Sequence, residues 1–258
     1  MNKTKISWTD RTWNPVVGCQ RVSPGCRNCY AFELHDMRYE AWNNGKTGLP
    51  EQYSKPFTQI QLKGNRLGDP ISIRMPQRIF VNSMSDLFHA EVPPSFIMDV
   101  FKTMSIARKH TFQILTKRAD RMQEVVNDNL IGAYHLPNVW LGVTTENQEQ
   151  FDKRVPYLIQ TSAHVRFISV EPMLGPVSIE RFAAHLDWVI IGGESGKRAR
   201  PMQDEWVVDL ILECNQYNVP VFFKQYGSVL AREYDLKDRS GADPSEWPVE
   251  WPQEFPVV

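Results

Sequence analysis

The sequence carries almost no net charge, because 29 basic residues are balanced by 30 acidic ones and the formal net charge is −1. A chain without a broad basic field lacks the attraction that drives non-specific binding to nucleic acid. Any contact with a nucleic acid therefore has to come from a small local group of side chains.

Long hydrophobic runs are also missing. No stretch of about eighteen apolar residues occurs, and the N-terminal segment has no apolar core of the kind that signal peptides carry. We therefore expect a cytoplasmic protein without membrane contact. Its 258 residues, 42% of them hydrophobic, suffice for a domain with a sizeable core.

Three common catalytic motifs are absent: the Gly-x-Ser-x-Gly elbow, the Walker loop and His-Glu-x-x-His. Ordinary hydrolases and kinases are therefore not indicated. Cysteine is scarce as well, yet three of the four, Cys19, Cys26 and Cys29, lie within eleven residues. In a reducing compartment such clustered thiols are metal ligands or catalysts more often than disulfides. Their spacing, Cys-x6-Cys-x2-Cys on a loop with Gly and Pro, predicts a metal centre.

Two kinds of metal centre suit three clustered thiols. A structural zinc site closes with four ligands, and His35, Asp36 or Cys214 would have to supply the fourth. A [4Fe–4S] cluster can be held by three thiolates with one iron left open to a small molecule. The residues favour the cluster and leave zinc as the alternative, while Cys214 continues an apolar helical stripe and is interpreted as a core residue.

The cysteine loop is predicted to lie between a strand and a helix. Pro15 limits the segment in front of it, residues 12–17, to an edge or irregular strand. Behind it, the apolar residues Tyr30, Leu34 and Met37 follow helical spacing. The loop therefore begins where a strand ends.

Beyond residue 78, short apolar runs alternate with amphipathic helical patterns roughly every 20–35 residues, which predicts an α/β protein with βα units on a parallel sheet. We expect one domain over residues 1–228, an irregular insertion over 46–78, and a C-terminal tail over 229–258 that packs on the domain or is partly mobile. The apolar runs begin near Ile79, Thr111, Val139, Val165, Trp188 and Val219.

Polar residues follow each apolar run. In a parallel βα array all strand ends lie on one face, so these residues converge on a single site that also receives the cysteine loop. The residues are Ser83, Ser85, Asp86, Lys117, Arg118, Thr144, Glu146, Glu171, Gly192, Gly193, Glu194 and Lys224.

Several motifs together resemble a phage-associated protein family of unknown function with a radical S-adenosylmethionine (SAM) core. They are Trp-Thr-Asp at 8–10, Trp-Asn-Pro at 13–15, Gly-Cys-x2-Cys-Tyr-Ala at 25–31, Ser-Met-Ser-Asp-Leu-Phe at 83–88 and Gly-Gly-Glu-Ser-Gly at 192–196. The resemblance covers residues 6–227. It implies a radical SAM-like fold, a partial (βα)6-type TIM-like barrel with parallel strands, to which the insertion and the extended tail are added.

The resemblance also implies roles for the strand-end residues. The three cysteines would hold a [4Fe–4S] cluster, and SAM would bind the open iron. The implied SAM contacts are Ser83, Ser85 and Asp86 for the amino group, Lys117 or Arg118 for the carboxylate, Thr144 or Glu146 for the ribose, and Gly192 and Gly193 for the adenine, with Glu171 and Glu194 also counted as cofactor-binding.

The predicted function is that of an iron–sulfur enzyme that reductively cleaves SAM to a 5′-deoxyadenosyl radical, which abstracts hydrogen from a substrate. A reductase or flavodoxin-type protein would donate the electron. Arg198, Arg200 and Lys224 are predicted to bind the substrate, for which a nucleotide or a phage DNA base is proposed.

Two alternatives stay open from the sequence. One is a zinc- or cluster-stabilised, non-enzymatic module that binds nucleic acid or a partner protein. The other is a metal-assisted hydrolase that uses the carboxylates of Asp86, Glu146 and Glu171.

Overall fold

Ten strands and six α-helices are assigned in residues 1–128 and 136–257, the part of the chain that this computed structural model describes. The strands are β1 (Asn2–Lys3), β2 (Arg11–Trp13), β3 (Val16–Val17), β4 (Gln61–Leu62), β5 (Arg78–Val81), β6 (Thr111–Thr116), β7 (Val139–Thr144), β8 (Val165–Val170), β9 (Trp188–Gly192) and β10 (Val221–Gln225). The helices are α1 (Tyr30–Asn43), α2 (Pro94–Ile106), α3 (Ala119–Asp128), α4 (Gln148–Gln160), α5 (Asp204–Gln216) and α6 (Gly227–Glu233).

Eight of these strands form one sheet in the order β1-β2-β5-β6-β7-β8-β9-β10. Strand β1 is antiparallel to β2, and all the other neighbours are parallel. The sheet curls into a mostly parallel half-barrel. This confirms the α/β class and the parallel sheet that the alternating pattern predicts.

The two faces of the sheet carry different cores. On β7, Leu141 and Val143 point outward into a large core that includes Val100 of α2 and Val155 of α4. Trp140, which immediately precedes Leu141 on the strand, belongs to a smaller inner core of mainly aromatic side chains. Because successive side chains of a strand point to opposite faces, a single strand supplies both cores.

The six predicted apolar runs all form strands, and the helix expected after the cysteine loop is α1. Seven parallel strands are present where the family resemblance implied six, since both β2 and β10 join the sheet. The segment before the loop is irregular, one of the two forms that Pro15 predicts, because it is split into β2 and β3 on either side of Asn14 and Pro15, and β2 is not an edge strand. Strand β2 lies between β1 and β5, and it ends before the proline is reached.

Two regions depart from regular βα units. The residues between β8 and β9 contain a short 3-10 turn, Ala183–His185, and no α-helix. Residues 46–78 consist of 3-10 turns and β4, which pairs with β3 to support the chain in front of the cysteine loop.

The tail, residues 229–258, completes α6, and its last described residues run along the free edge of β10; Val258 lies outside the described residues. Gln253 bridges Phe222 of β10, and the ring of Phe255 packs on Trp188 and Phe222 at centroid distances of 5.4 and 5.2 Å. The tail therefore covers the amino end of the half-barrel. No helix in residues 1–128 and 136–257 is long and apolar enough to cross a membrane.

Candidate functional site

A cavity of about 1120 Å³ opens at the carboxyl ends of the parallel strands. This volume lies above the range of roughly 300–1,000 Å³ that is usual for a pocket holding one small molecule. Of the residues predicted from the sequence, its wall contains Cys19, Cys26, Cys29, Ser83, Ser85, Asp86, Lys117, Arg118, Thr144, Glu171, Gly193, Glu194 and Lys224. Glu146, Gly192, Arg198 and Arg200 are not part of the wall.

The three loop cysteines are free thiols that share this cavity. Cys26 is buried, whereas Cys19 and Cys29 are half-buried. In the described part of the chain, no three His, Cys, Asp or Glu side chains are close enough together to hold a metal ion. The thiols therefore line one cavity without forming a converged ligand set.

The immediate surroundings of Cys19 keep it a neutral thiol. Burial, and next to it the negative charge of Asp86, raises its pKa to about 11, although the Arg118 guanidinium acts in the opposite direction. Arg118 Nη1 lies 3.9 Å from Cys19 Sγ. A cation at the sulfur would oppose both effects that raise the pKa.

Cys214 is remote from the loop. It lies on α5, fully buried in the large outer core, and burial raises its pKa to about 12. The interpretation of Cys214 as a core residue is confirmed, so it supplies no fourth ligand.

Asp86 is saturated with hydrogen bonds. Its Oδ1 accepts from Thr116 Oγ1 at 2.7 Å and from the Phe88 backbone, and its Oδ2 accepts from Arg118 Nη1 at 2.8 Å and from the Lys117 backbone. Arg118 in turn donates to the carbonyl of Gln20 at 3.2 Å, next to Cys19. Asp86 was predicted to bind the SAM amino group. In the structure its oxygens are hydrogen-bonded by the protein, and through Arg118 it is connected to the cysteine loop.

Glu146 is fully buried and also faces the loop. Its Oε1 accepts from Ser23 Oγ and from the Gly25 backbone at 3.1 Å, while Oε2 accepts from Arg154 Nη1 at 2.7 Å. Burial alone would raise its pKa, but Lys117, Arg154 and the Ser23 hydroxyl hold the pKa below its usual value. The carboxylate is therefore charged at neutral pH, and it binds the loop where a ribose contact was predicted.

Glu194 forms the third contact of this kind. Its Oε1 accepts from Arg200 Nη2 at 2.5 Å, and its Oε2 from Asn28 Nδ2 at 3.0 Å and from Arg200 Nε at 2.9 Å. The Arg200 Nη1 atom donates to the Pro24 carbonyl at 3.0 Å. Although burial works against ionisation, the Arg200 contacts and the Asn28 amide lower the pKa of Glu194.

The two arginines predicted to bind a substrate are engaged elsewhere. All of the hydrogen bonds of the Arg200 guanidinium go to Glu194 and the loop, as described above. Arg198 forms an exposed ion pair with Glu33 of α1 at 2.8 Å. Of the predicted substrate residues, Lys224 is the one that faces the cavity.

Lys224 pairs with Glu171 inside the cavity, at 2.7 Å between Nζ and Oε1. Glu171 Oε2 also accepts from Ser169 Oγ at 3.1 Å. Within the described residues, neither member of this pair hydrogen-bonds the cysteine loop. The pair remains accessible, with 23% of the Lys224 side chain and 14% of the Glu171 side chain exposed.

The remaining predicted residues brace the strand ends. Ser83 hydrogen-bonds the Asn14 side chain, and Ser85 Oγ donates to the Val16 carbonyl at 2.7 Å. A Cβ on Gly193 would lie 2.0 Å from the Tyr226 carbonyl oxygen, so this glycine is required by the packing of the chain itself. On the side where a Cβ would project, Gly193 faces the backbone of Tyr226 and Gly227.

Sequence reasoning missed several residues that shape the site. Tyr30 lines the cavity and its hydroxyl donates to the Ser83 carbonyl at 2.6 Å. Arg154 was detectable in principle, because it lies on the apolar stripe of α4 between Phe151 and Val155, and a buried arginine requires a partner. Ser23 and Asn28 gave no signal of their own.

The three carboxylates of the hydrolase alternative are not brought together. Asp86 is paired with Arg118, Glu146 with Arg154 and Glu171 with Lys224. Each negative charge is thus neutralised by its own cation, and no group of metal ligands forms among the described residues. The geometry gives this alternative no support.

A family model described as a protein of unknown function (DUF5131) matches residues 3–246, which include the cysteine loop and the whole parallel sheet. No curated protein and no solved structure matches the chain. The family description names no activity, so a functional assignment depends on the geometry of the site.

Proposed function

We propose that this chain, which belongs to the DUF5131 family of proteins of unknown function, is an iron–sulfur enzyme of the radical SAM type with a partial TIM-like barrel. The observation that carries the proposal is that three clustered thiols and the accessible Glu171–Lys224 pair line the same cavity at the ends of parallel strands. Cys19, Cys26 and Cys29 would hold a [4Fe–4S] cluster. Its chemistry would supply an electron that cleaves SAM to methionine and a 5′-deoxyadenosyl radical, which abstracts hydrogen from the substrate.

The donor set fits this group in chemistry, because three free thiols on one loop share one cavity and three thiolates suffice to hold a [4Fe–4S] cluster. The thiols have to draw together when the metal binds. The loop is suited to that movement, since its regular structure is limited to one 3-10 turn, Pro24–Cys26.

The accessible charges of the cavity suit a zwitterionic ligand. The methionine part of SAM carries an ammonium and a carboxylate, and the cavity presents the Glu171 carboxylate and the ammonium groups of Lys117 and Lys224. Asp86 and Glu146 have their oxygens occupied by protein donors, so Glu171 replaces them in the proposed role. A charge-assisted hydrogen bond to each end of the zwitterion would orient SAM.

The closed amino end would exclude water from the reaction. The side chains of Trp8, Phe80 and Leu115 belong to or pack against the inner aromatic core, and they also line the cavity. This apolar floor would keep water from reaching the bound ligands from the amino end. Substrate would enter from the carboxyl end, where the cavity opens.

For the substrate we propose a nucleotide or a DNA base, with a reductase or flavodoxin-type protein as electron donor. The cavity volume of about 1120 Å³ leaves room for a second molecule beside SAM. Lys3 and Lys5 are also in its wall, and they offer positive charge to a phosphate while Lys224 is engaged with SAM. These lysines take over the role that was predicted for Arg198 and Arg200.

The test is anaerobic reconstitution with iron and sulfide, followed by addition of SAM and a strong reductant. We expect about four irons per chain, a brown protein and the formation of 5′-deoxyadenosine. Cys214→Ala is the matched control, because it removes a thiol that lies in the core and should leave all three results unchanged. A colourless protein that holds stoichiometric zinc would contradict the proposal and support the non-enzymatic binding module.

A further inference from the structure

We propose that Asp86, Glu146 and Glu194 are positioning residues that tie the cysteine loop to the sheet through three carboxylate–arginine pairs, one beside each cysteine. The proposal uses the assignment of the loop as a metal-binding loop, and so rests on the proposed function. It departs from the roles predicted for these three acids, since it gives them no contact with a cofactor or a substrate.

The three pairs divide the loop between them. Arg118, held by Asp86, contacts Cys19 Sγ and the Gln20 carbonyl. Glu146 accepts from Ser23 and Gly25, the residues that lead into Cys26. The Glu194–Arg200 pair binds the Pro24 carbonyl and the Asn28 side chain, next to Cys29. Each cysteine thus has at least one anchor beside it, and the turn that contains Cys26 is contacted by two of them.

The anchors come from alternate strands of the half-barrel. Asp86 follows β5, Glu146 follows β7 and Glu194 follows β9. Contacts that are spread over five adjacent strands hold the loop across the width of the sheet. A loop fixed at three separated points cannot rotate as a unit, although its short segments between the anchors can still adjust.

Burial makes these contacts strong. The side chains of the Glu146–Arg154 pair are 0% and 5% exposed, and those of Asp86–Arg118 are 7% and 12% exposed. A buried charge that loses a hydrogen-bond partner is costly, so each carboxylate favours the loop conformation that keeps its donors in place. The fit at Glu146 is close, because a Cβ on Gly25 would lie 2.9 Å from its Oε1.

The Glu171–Lys224 pair provides an internal contrast. Glu171 follows β8 and Lys224 lies within β10, the pair has a distance similar to those of the other pairs, and in the described residues it makes no hydrogen bond to the loop. A carboxylate–cation pair can therefore form at this end of the sheet without binding the loop. The three loop-bound pairs share a function that the fourth does not have.

The experiment measures the alkylation rate of each cysteine in the metal-free, reduced, full-length protein with iodoacetamide, followed by peptide mass spectrometry. Ser23→Ala and Asn28→Ala remove the loop-side donors and leave the carboxylate–arginine pairs intact, so they should fold. We expect Ser23→Ala to speed alkylation of Cys26 by about tenfold, and Asn28→Ala to do the same for Cys29. Ser23→Thr, which retains the hydroxyl, should restore the original rate.

Glu146→Gln should have the same effect on Cys26 as Ser23→Ala, or a larger one, because it weakens both loop contacts. Asp10→Asn is the matched control, since it breaks a carboxylate–arginine pair with Arg78 that lies away from the loop. The slow alkylation of the buried Cys214 reports whether each variant keeps its core. Equal acceleration of all three loop cysteines, or unchanged rates in both loop-side variants, would overturn the proposal.

The result is separable from the proposed function. Alkylation is measured without metal or SAM, so a protein that proves to bind zinc, or that fails to cleave SAM, can still show the cysteine-specific pattern. Conversely, if the protein cleaves SAM but its loop variants alkylate at the original rate, the proposed function stands and the anchoring proposal is overturned.

Discussion

The two ends of the half-barrel are made by the same strands and are filled in opposite ways. At the amino end, buried rings pack against one another, and at the carboxyl end, paired charges surround an open cavity. The rings of the amino end are those of Trp8, Phe80, Trp140, Phe167, Trp188 and Phe222.

Strand β8 shows how one strand serves both ends. Its inward positions carry Phe167, then Ser169, and after the strand Glu171, so the inner face changes from apolar to polar to charged within five residues. The rings stabilise the barrel from inside, whereas the charges are held in place by one another and by the cysteine loop. The residues that stabilise the barrel therefore lie at one end of the strands, and the residues proposed for chemistry lie at the other. The following substitutions test that separation.

The largest effect is expected from the cysteine loop. Cys26→Ala, and likewise Cys19→Ala or Cys29→Ala, should reduce the iron content after reconstitution to near zero, because two thiolates cannot hold the cluster. The unfolding midpoint of the metal-free protein should change little, since these cysteines lie outside the main core. Iron analysis and thermal melting check the two parts, and retention of a full cluster in any of the three variants would contradict the ligand assignment.

The next largest effect is expected at the opposite end. Trp188 is fully buried and contacts Trp140 and Phe222 edge-on, so Trp188→Ala should lower the free energy of unfolding by about 3–5 kcal/mol. Urea unfolding measures this change. The folded fraction should still bind iron in the wild-type amount, and a folded variant without iron would show that the two ends are coupled.

A smaller effect is expected for Lys224→Gln, which removes the positive charge of the accessible pair. We expect SAM affinity to fall by about tenfold, since one charge-assisted hydrogen bond is lost. Titration calorimetry on the reconstituted protein measures it. Lys197→Gln, at a residue outside the cavity wall, is the control, and equal affinities for the two variants would exclude Lys224 from the binding site.

The smallest effect concerns pH and the amino end. His110 is buried; its Nδ1 accepts from the Gln77 backbone and its Nε2 donates to the Pro70 carbonyl, so the ring is neutral. Burial lowers its pKa from the usual 6.5. Because the unfolded chain then binds the proton more readily, the free energy of unfolding should decrease as the pH falls below about 6.5.

The slope from this one residue is at most about 1.4 kcal/mol per pH unit. Urea unfolding between pH 7.5 and 5, with His110→Gln as the comparison, isolates it. A steeper slope in the variant than in the original protein would contradict the assignment of a neutral ring.

The sheet was predictable because its signal is local. Short apolar runs ending in polar residues mark strands such as β7 and β9 wherever they occur, and the parallel arrangement follows from the helices between them. The number of parallel strands is harder to predict from the sequence. Strand β2 has three residues and ends before Pro15, so its membership depends on pairing with β5 rather than on its own pattern.

The cavity residues were partly predictable, but their partners were not. The position of Glu146 after a strand indicates which end of the sheet it occupies, and nothing in that position shows that Ser23, more than a hundred residues earlier, will bind it. The donors that occupy a carboxylate are decided by tertiary packing. The sequence alone therefore predicts that these acids bind a cofactor, whereas in the structure they hydrogen-bond the cysteine loop or its arginine partners.

The tail has a consequence for how the molecule behaves among copies of itself. An open half-barrel leaves strands at its margins, and an unpaired margin is a template for β-strand addition between molecules. On β10 that template is taken, because the Phe223 amide donates to the Pro252 carbonyl and the Val221 carbonyl accepts from Glu254. Residues 252–254 thus block strand addition at the β10 margin, which reduces the tendency of the open half-barrel to self-associate through that edge.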